Sequence, residues 1–206
     1  MKNTILVLLI STLAGCAGNA VKQNWVVVRD TDQFTDKTTC TVTTGSFYSS
    51  DNIYTLNNHF YPFVQKAGSV ILVGVQSGGK FKIPVGTIQL RIDSKSAWTI
   101  TSAETPILAS SANMNSQPIV YPANVTDEQK KLIDATYKNS MDNATKTMSP
   151  FTATTDAKAN QILKEMLQGH KLIYRIVGLN QAASTTGEVQ LDASLKVALN
   201  QCGITL

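Results

Sequence analysis

Six runs between residues 24 and 101 alternate apolar and polar residues or are rich in β-branched ones, and short breaks of turn residues separate most of them. That spacing restricts the fold more than any other feature, because short strands at such intervals build a sandwich or a curled antiparallel sheet. The runs are NWVVVRD (24–30), TTCTVTT (38–44), HFYPFVQ (59–65), SVILVGVQ (69–76), TIQLRID (87–93) and SAWTIT (96–101). Cys40 and Val42 share one face of the second. Pro62 in the third predicts an edge position, since proline donates nothing to a ladder. The fourth is the most apolar and is expected at the centre of a sheet.

Residues 102–125 hold Pro106, Pro118 and Pro122 among small polar residues and read as a long connecting loop. A loop of that length in a compact domain invites a functional role. A helical insert is expected over 126–168. Thr126 and Gln129 form a capping box, and Ile133, Tyr137, Met141, Ala144 and Met148 then recur on one helical face. Pro150 ends that helix. A second starts near Asp156, buries Ile162, Leu163, Met166 and Leu167, and stops at Gly169. The methionines of both stripes are read as core filling. HKLIYRIVG (170–178) and GEVQLDA (187–193) return to strand, and a short helix over 193–201 closes the chain before Gly203. The expected class is α+β: one domain over 25–206, a twisted antiparallel sheet or β-sandwich with two to three packed helices.

The chain opens MKNTILVLLISTLAGCAGNA. Lys2, the apolar run Ile5–Ile10 and the small residues up to Cys16 have the layout of a secretory signal. As a helix, residues 5–14 would cover about 15 Å, half of what a membrane span needs. The stretch LAGC resembles the lipobox of bacterial lipoproteins. That resemblance implies cleavage before Cys16, removal of residues 1–15 as signal peptide, acylation of Cys16, and a tether over residues 16–24. Ala17 in place of Asp implies sorting to the outer membrane, with the periplasmic side favoured over the cell surface. The alternative is an ordinary signal peptide with a chance cysteine. Acyl chains hold a protein at a bilayer by about 0.8 kcal/mol per buried CH₂.

Setting Cys16 aside as the lipid-bearing residue leaves Cys40 and Cys202. In a chain exported to an oxidising compartment the two are expected to form a disulfide, the alternative being two separate buried thiols. A formal charge of +4, with lysines and acids interspersed, is too mild for a nucleic-acid partner.

Catalytic signatures fail one by one. Gly74, Gly79 and Lys80 stand where a phosphate-binding loop has its two glycines and lysine. Phe81 replaces the magnesium-binding hydroxyl residue, and Pro84 and Gly86 forbid the helix whose N-terminus must face the phosphates. QSGGK is therefore read as a hairpin turn, and no nucleotide is expected. Ser77 with Lys80, and the Ser50–Asn52 triplet, share residues with penicillin-binding enzymes but in the wrong order and without Lys-Thr-Gly. His59 and His170 lack metal-ligand spacing. Asp30, Asp32 and Asp36 lack the glycine and glutamate of a calcium loop. No cofactor and no metal are expected.

Arg91 and Asp93 lie two apart in one strand and so share a face. Arg175 sits in another apolar strand. If both strands belong to one sheet, the three residues form either a polar cluster for an anionic ligand or a water-facing surface.

The opening W…D…C.V, the middle QLRID, a late L..G…YR and the closing Ala-Leu-x-x-Cys-Gly resemble the plan of invasion-associated-locus-B-type secreted proteins. The resemblance spans most of residues 25–203 and departs from it at the insert 126–168. It implies a β-sandwich-like fold, a periplasmic or surface location and no known enzymatic chemistry. The sequence thus points to a lipid-anchored envelope protein with a structural or protein-binding role, such as an accessory subunit of an envelope or secretion assembly. Its expected contact surfaces are the loop 102–125 and the exposed sheet edges. The alternatives are a small-ligand or inhibitor module built on Arg91, Asp93 and Arg175, and a hydrolase with a dispersed site.

Overall fold

The computed structural model describes residues 25–44, 60–78, 82–107, 119–177 and 186–205. Cys16 and the rest of 1–24, the triplet 50–52, His59, Lys80 and part of the 102–125 loop lie outside these residues. The chain runs β1 (Trp25–Thr31), β2 (Thr38–Thr44), β3 (Phe60–Ala67), β4 (Val70–Ser77), β5 (Thr87–Ile92), β6 (Trp98–Ile100), a 3-10 turn (Ser102–Glu104), α1 (Asp127–Thr147), β7 (Phe151–Thr154), α2 (Asp156–Gln168), β8 (Lys171–Val177), β9 (Gly187–Gln190) and α3 (Ala193–Gln201). The strands form two antiparallel sheets, ordered β1-β2-β3-β4-β7 and β6-β5-β8-β9. The fold is α+β.

Strand alternation decides which residues meet. Val42, Val64, Val73 and Val75 of the first sheet join Ile88, Leu90, Ile92, Ile100 and Leu172 of the second in one core. Into it α2 inserts Ala159, Ile162, Leu163 and Met166, and α3 inserts Leu195, Ala198 and Leu199. Each large aliphatic side chain buried there contributes about 1.5–3 kcal/mol. The expected stripe of α2 and the core role of Met166 are as the sequence indicates. Gly169 follows α2 at φ −88, so it owes its place to crowding: a Cβ there would lie 2.3 Å from Ile92 Cγ2.

Four expectations change. Strand β3 is internal, flanked by β2 and β4. Pro62 is tolerated because the β2 ladder ends one pair earlier, at Thr43–Phe63, and the Thr43 hydroxyl donates to the Pro62 carbonyl at 2.9 Å. The expected hairpin between β4 and β5 does not form: the two strands belong to different sheets, and Gly79 and Lys80 between them lie outside the described residues. Ser77 N–H donates to Pro150 O, and Val85 N–H to Ser149 O, which ties this connection to the chain entering β7.

The region 126–168 is not purely helical. Phe151–Thr154 forms β7, which pairs with Val73–Gln76 and completes the first sheet. On the far face of that sheet Phe63, Leu72 and Ala153 make a second small core. Phe151 meets Phe63 edge to face at 6.0 Å, and Ala153 N–H donates to the buried Thr105 hydroxyl.

The stripe of α1 is not core. None of the 21 residues of α1 is buried, and Ile133 and Tyr137 are each 39% exposed and Met148 66%. The helix is held locally, by the expected capping box of Thr126 and Gln129 and by the ion pairs Lys130–Asp127 and Lys138–Asp142. Apolar spacing tells which face is greasy and not whether anything covers it.

Candidate docking surface

Strand β1 is the free edge of the first sheet: among the described residues it pairs only with β2. Its sequence, WVVVRDT, favours extended backbone, and Val26–Val28 leave this edge without a charge until Arg29. The backbone N–H of Trp25 donates to Ser194 Oγ at 3.0 Å, away from β2. Antiparallel pairs alternate between those that exchange bonds with their partner and those that do not. Trp25, Val27 and Arg29 therefore turn their N–H and C=O groups outward, while Val26 and Val28 bond to β2.

Helix α3 runs beside this edge. Its first turn is set by Asp192, whose carboxylate accepts the Ser194 N–H at 2.9 Å, and Trp25 Nε1 donates to Gln190 O at 2.8 Å. Its last turn is gripped by a single row across three strands. Arg29, Cys40 and Lys66 are register partners. Arg29 Nη2 donates to Gln201 O at 2.6 Å, Cys40 is bonded to Cys202, and Lys66 Nζ donates to Gly203 O at 2.7 Å. Two cations on the terminal carbonyls complement the negative end of the helix dipole. Between β1 and α3 lies an open groove of about 290 Å³, lined by Trp25, Val27, Arg29, Ser194, Val197 and Gln201. Val197 is 49% exposed there. The groove offers a mainly polar lining around Val27 and Val197 and, from Val27 on, outward peptide groups, which suits an extended segment.

The disulfide between Cys40 and Cys202 is present, with Cα atoms 5.5 Å apart. The cluster of Arg91, Asp93 and Arg175 does not assemble. β5 and β8 are indeed neighbours, and Arg91 and Arg175 both project from the outer face of the second sheet. There Arg175 Nε donates to Gln89 Oε1 at 2.7 Å, and Lys171 pairs with Glu188 at 2.6 Å: a water-facing polar surface. Asp93 lies past the end of β5 at φ +50, and its carboxylate accepts the backbone N–H groups of Lys171 and His170 at 2.9 and 3.1 Å. It joins the start of β8 to the end of β5 and binds no arginine.

The Lys171 amide, with that of His170, holds the Asp93 carboxyl below the ordinary carboxylate value. A group with a lowered folded pKa stabilises fully above its unfolded pKa and stops doing so as pH falls through the folded one. Part of the acid sensitivity below about pH 4 is thus expected to come from Asp93. Asp93→Asn, which tolerates the positive φ, should flatten that part of a plot of melting temperature against pH. An unchanged slope would remove Asp93 from this role.

Asp32 turns the β1–β2 hairpin by accepting the N–H groups of Phe34 and Thr35. Among the described residues no three His, Cys, Asp or Glu side chains converge as metal ligands. Burial pushes the Tyr174 phenol up to about 12. The groove beside β1 escaped the sequence reading because it needs α3, more than 160 residues away, as its second wall. The three valines before Arg29 were the available hint. The chain matches no protein-family profile, no curated protein and no solved structure.

Proposed function

We propose that this chain is a lipid-anchored protein of the bacterial cell envelope, held at the outer membrane through Cys16, whose folded part docks a protein partner along the β1 edge. The observation that carries the reading is the Cys40–Cys202 bridge, because disulfides form and persist in oxidising compartments outside the cytosol. It supports export, which the signal layout before Cys16 also implies. Eight residues lie between Cys16 and Trp25, a reach of about 30 Å when extended. The open edge therefore lies close to the bilayer, where an envelope assembly would meet it. Its outward peptide groups favour a partner segment that adds as a strand, with side chains set alternately against Val27 and Val197.

Two variants test the two halves separately. Wild-type protein is expected to partition into detergent with residue 16 acylated and N-terminal, and Cys16→Ser to partition into water. An unmodified Cys16, or retention of residues 1–15, overturns the anchor. Val27→Pro removes an outward N–H and no ladder bond, so its melting temperature should stay within a few degrees of wild type. It should lose a stoichiometric partner that wild type retains after cross-linking in intact cells. Equal recovery with both proteins overturns the β1 edge as the docking line and leaves the anchor standing.

A further inference from the structure

We infer that α1 pairs antiparallel with α1 of a second copy of this chain, about a two-fold axis at Tyr137. Helices α2 and α3 bury four and three residues, whereas α1, the longest at 21 residues and about 31 Å, buries none. It nevertheless carries a continuous apolar stripe of Ile133, Tyr137, Met141, Ala144 and Met148. The body meets α1 mainly on the adjoining face, where Lys146 Nζ donates to Ala103 O at 2.7 Å, and it half-covers Met141 of the stripe while Ile133, Tyr137, Ala144 and Met148 stay exposed.

The stripe is close to palindromic. Ile133 and Met141 each lie four residues from Tyr137. A two-fold axis there sets Ile133 against Met141 of the other copy, Tyr137 against its own equivalent, and the stem of Lys130 over the small Ala144. This is the self-complementarity an isologous interface requires.

Charge chooses the same partner and the same direction. At 100° per residue the flank beyond the stripe carries Asp134 and Lys138, on opposite sides of the axis. The antiparallel two-fold brings Asp134 of each copy beside Lys138 of the other. Turned parallel, this flank would instead face Gln129, Thr136, Ser140 and Asn143, which carry no charge. Within the chain Asp134 accepts from the Tyr121 hydroxyl and Lys138 pairs with Asp142 at 2.7 Å. Both are exposed, and the pairs between copies would extend these contacts. Helix dipoles also oppose one another in this arrangement. The dimer leaves the β1 edge of each copy free, so it is independent of the partner proposed there.

The test is disulfide trapping in full-length protein carrying Cys16→Ser, in which the native cysteines 40 and 202 are already bonded. Tyr137→Cys alone should give a reducible covalent dimer under mild oxidation. Ile133→Cys and Met141→Cys should each stay monomeric alone and cross-link when mixed. Asn139→Cys, on the opposite face, supplies the background from random collision. None of these positions is buried, so circular dichroism should match wild type throughout. Cross-linking of each single variant with itself would mean parallel helices and overturn the arrangement. Yields no higher than with Asn139→Cys would overturn self-pairing altogether.

Discussion

Replacing Cys40 and Cys202 together by serine is expected to lower the unfolding free energy by about 5 kcal/mol. The bridge spans 162 residues, and the chain-entropy cost of closing so long a loop in the unfolded state has that size. For a domain of this length the loss corresponds to a fall of about 10–20 °C in melting temperature. The folded side should respond locally as well. Cys202 is the C-cap of α3, and once the bond is gone that end is held by the exposed Arg29 and Lys66 contacts, the closing backbone bonds of Gly203 and Ile204, and the packing of Leu195, Ala198, Leu199 and Ile204. Arg29→Met, which removes one such contact at the surface, should cost no more than about 1 kcal/mol. Urea unfolding of the oxidised protein and the two variants gives the comparison. A double-serine variant within about 1 kcal/mol of wild type would show that packing alone secures α3, and that the bridge constrains little in the unfolded chain.

The second large effect is expected at Gly74, from adding a single methyl group. A Cβ at this position would lie 2.0 Å from the Thr152 carbonyl oxygen and 2.7 Å from Ala153 Cα. Both are backbone atoms of β7, so no side-chain rotation relieves the clash. Gly74→Ala must push β7 away from β4, breaking the pairs from Val73–Thr154 to Gln76–Phe151 and opening the small core of Phe63, Leu72 and Ala153. We expect a loss of about 3 kcal/mol or more, the range of overpacking that the backbone cannot absorb. Faster hydrogen exchange at 151–154 should accompany it. Gly68→Ala is the matched control. Gly68 has φ +63 and nothing near its absent Cβ, so only conformational strain of about 1 kcal/mol is at stake. Equal costs at the two glycines would mean that β7 gives way easily.

Strand β7 also shows where reading the chain reaches its limit. FTAT is four residues long, sits between Pro150 and a helix start, and has too few positions for an alternation to register. It is a strand because β4 supplies a partner and Gly74 lets it approach. Pro62 illustrates the converse: proline argues for an edge, yet β3 is internal, because the neighbouring ladder happens to stop one residue short of it. With Arg91 and Asp93 the two-residue spacing was sound for a strand, but β5 ends at Ile92, so Asp93 leaves the shared face and turns to the amides of β8. The capping box at Thr126, the turn at Asp32 and the buried stripe of α2 were legible because each is decided by residues within a turn or two of one another.

By itself, the sequence determined the α+β class, the positions of most strands and helices, and the two cysteines available to bond. Those follow from backbone propensity, side-chain period and thiol count, which act locally or need no geometry. Tertiary structure alone decided that the strands divide into two sheets, that α1 stands uncovered while α2 is buried, and that Arg29, Cys40 and Lys66 line up under the end of α3. Each of these depends on contacts between residues far apart in the chain, whose free energy is set by register and close approach rather than by any short stretch.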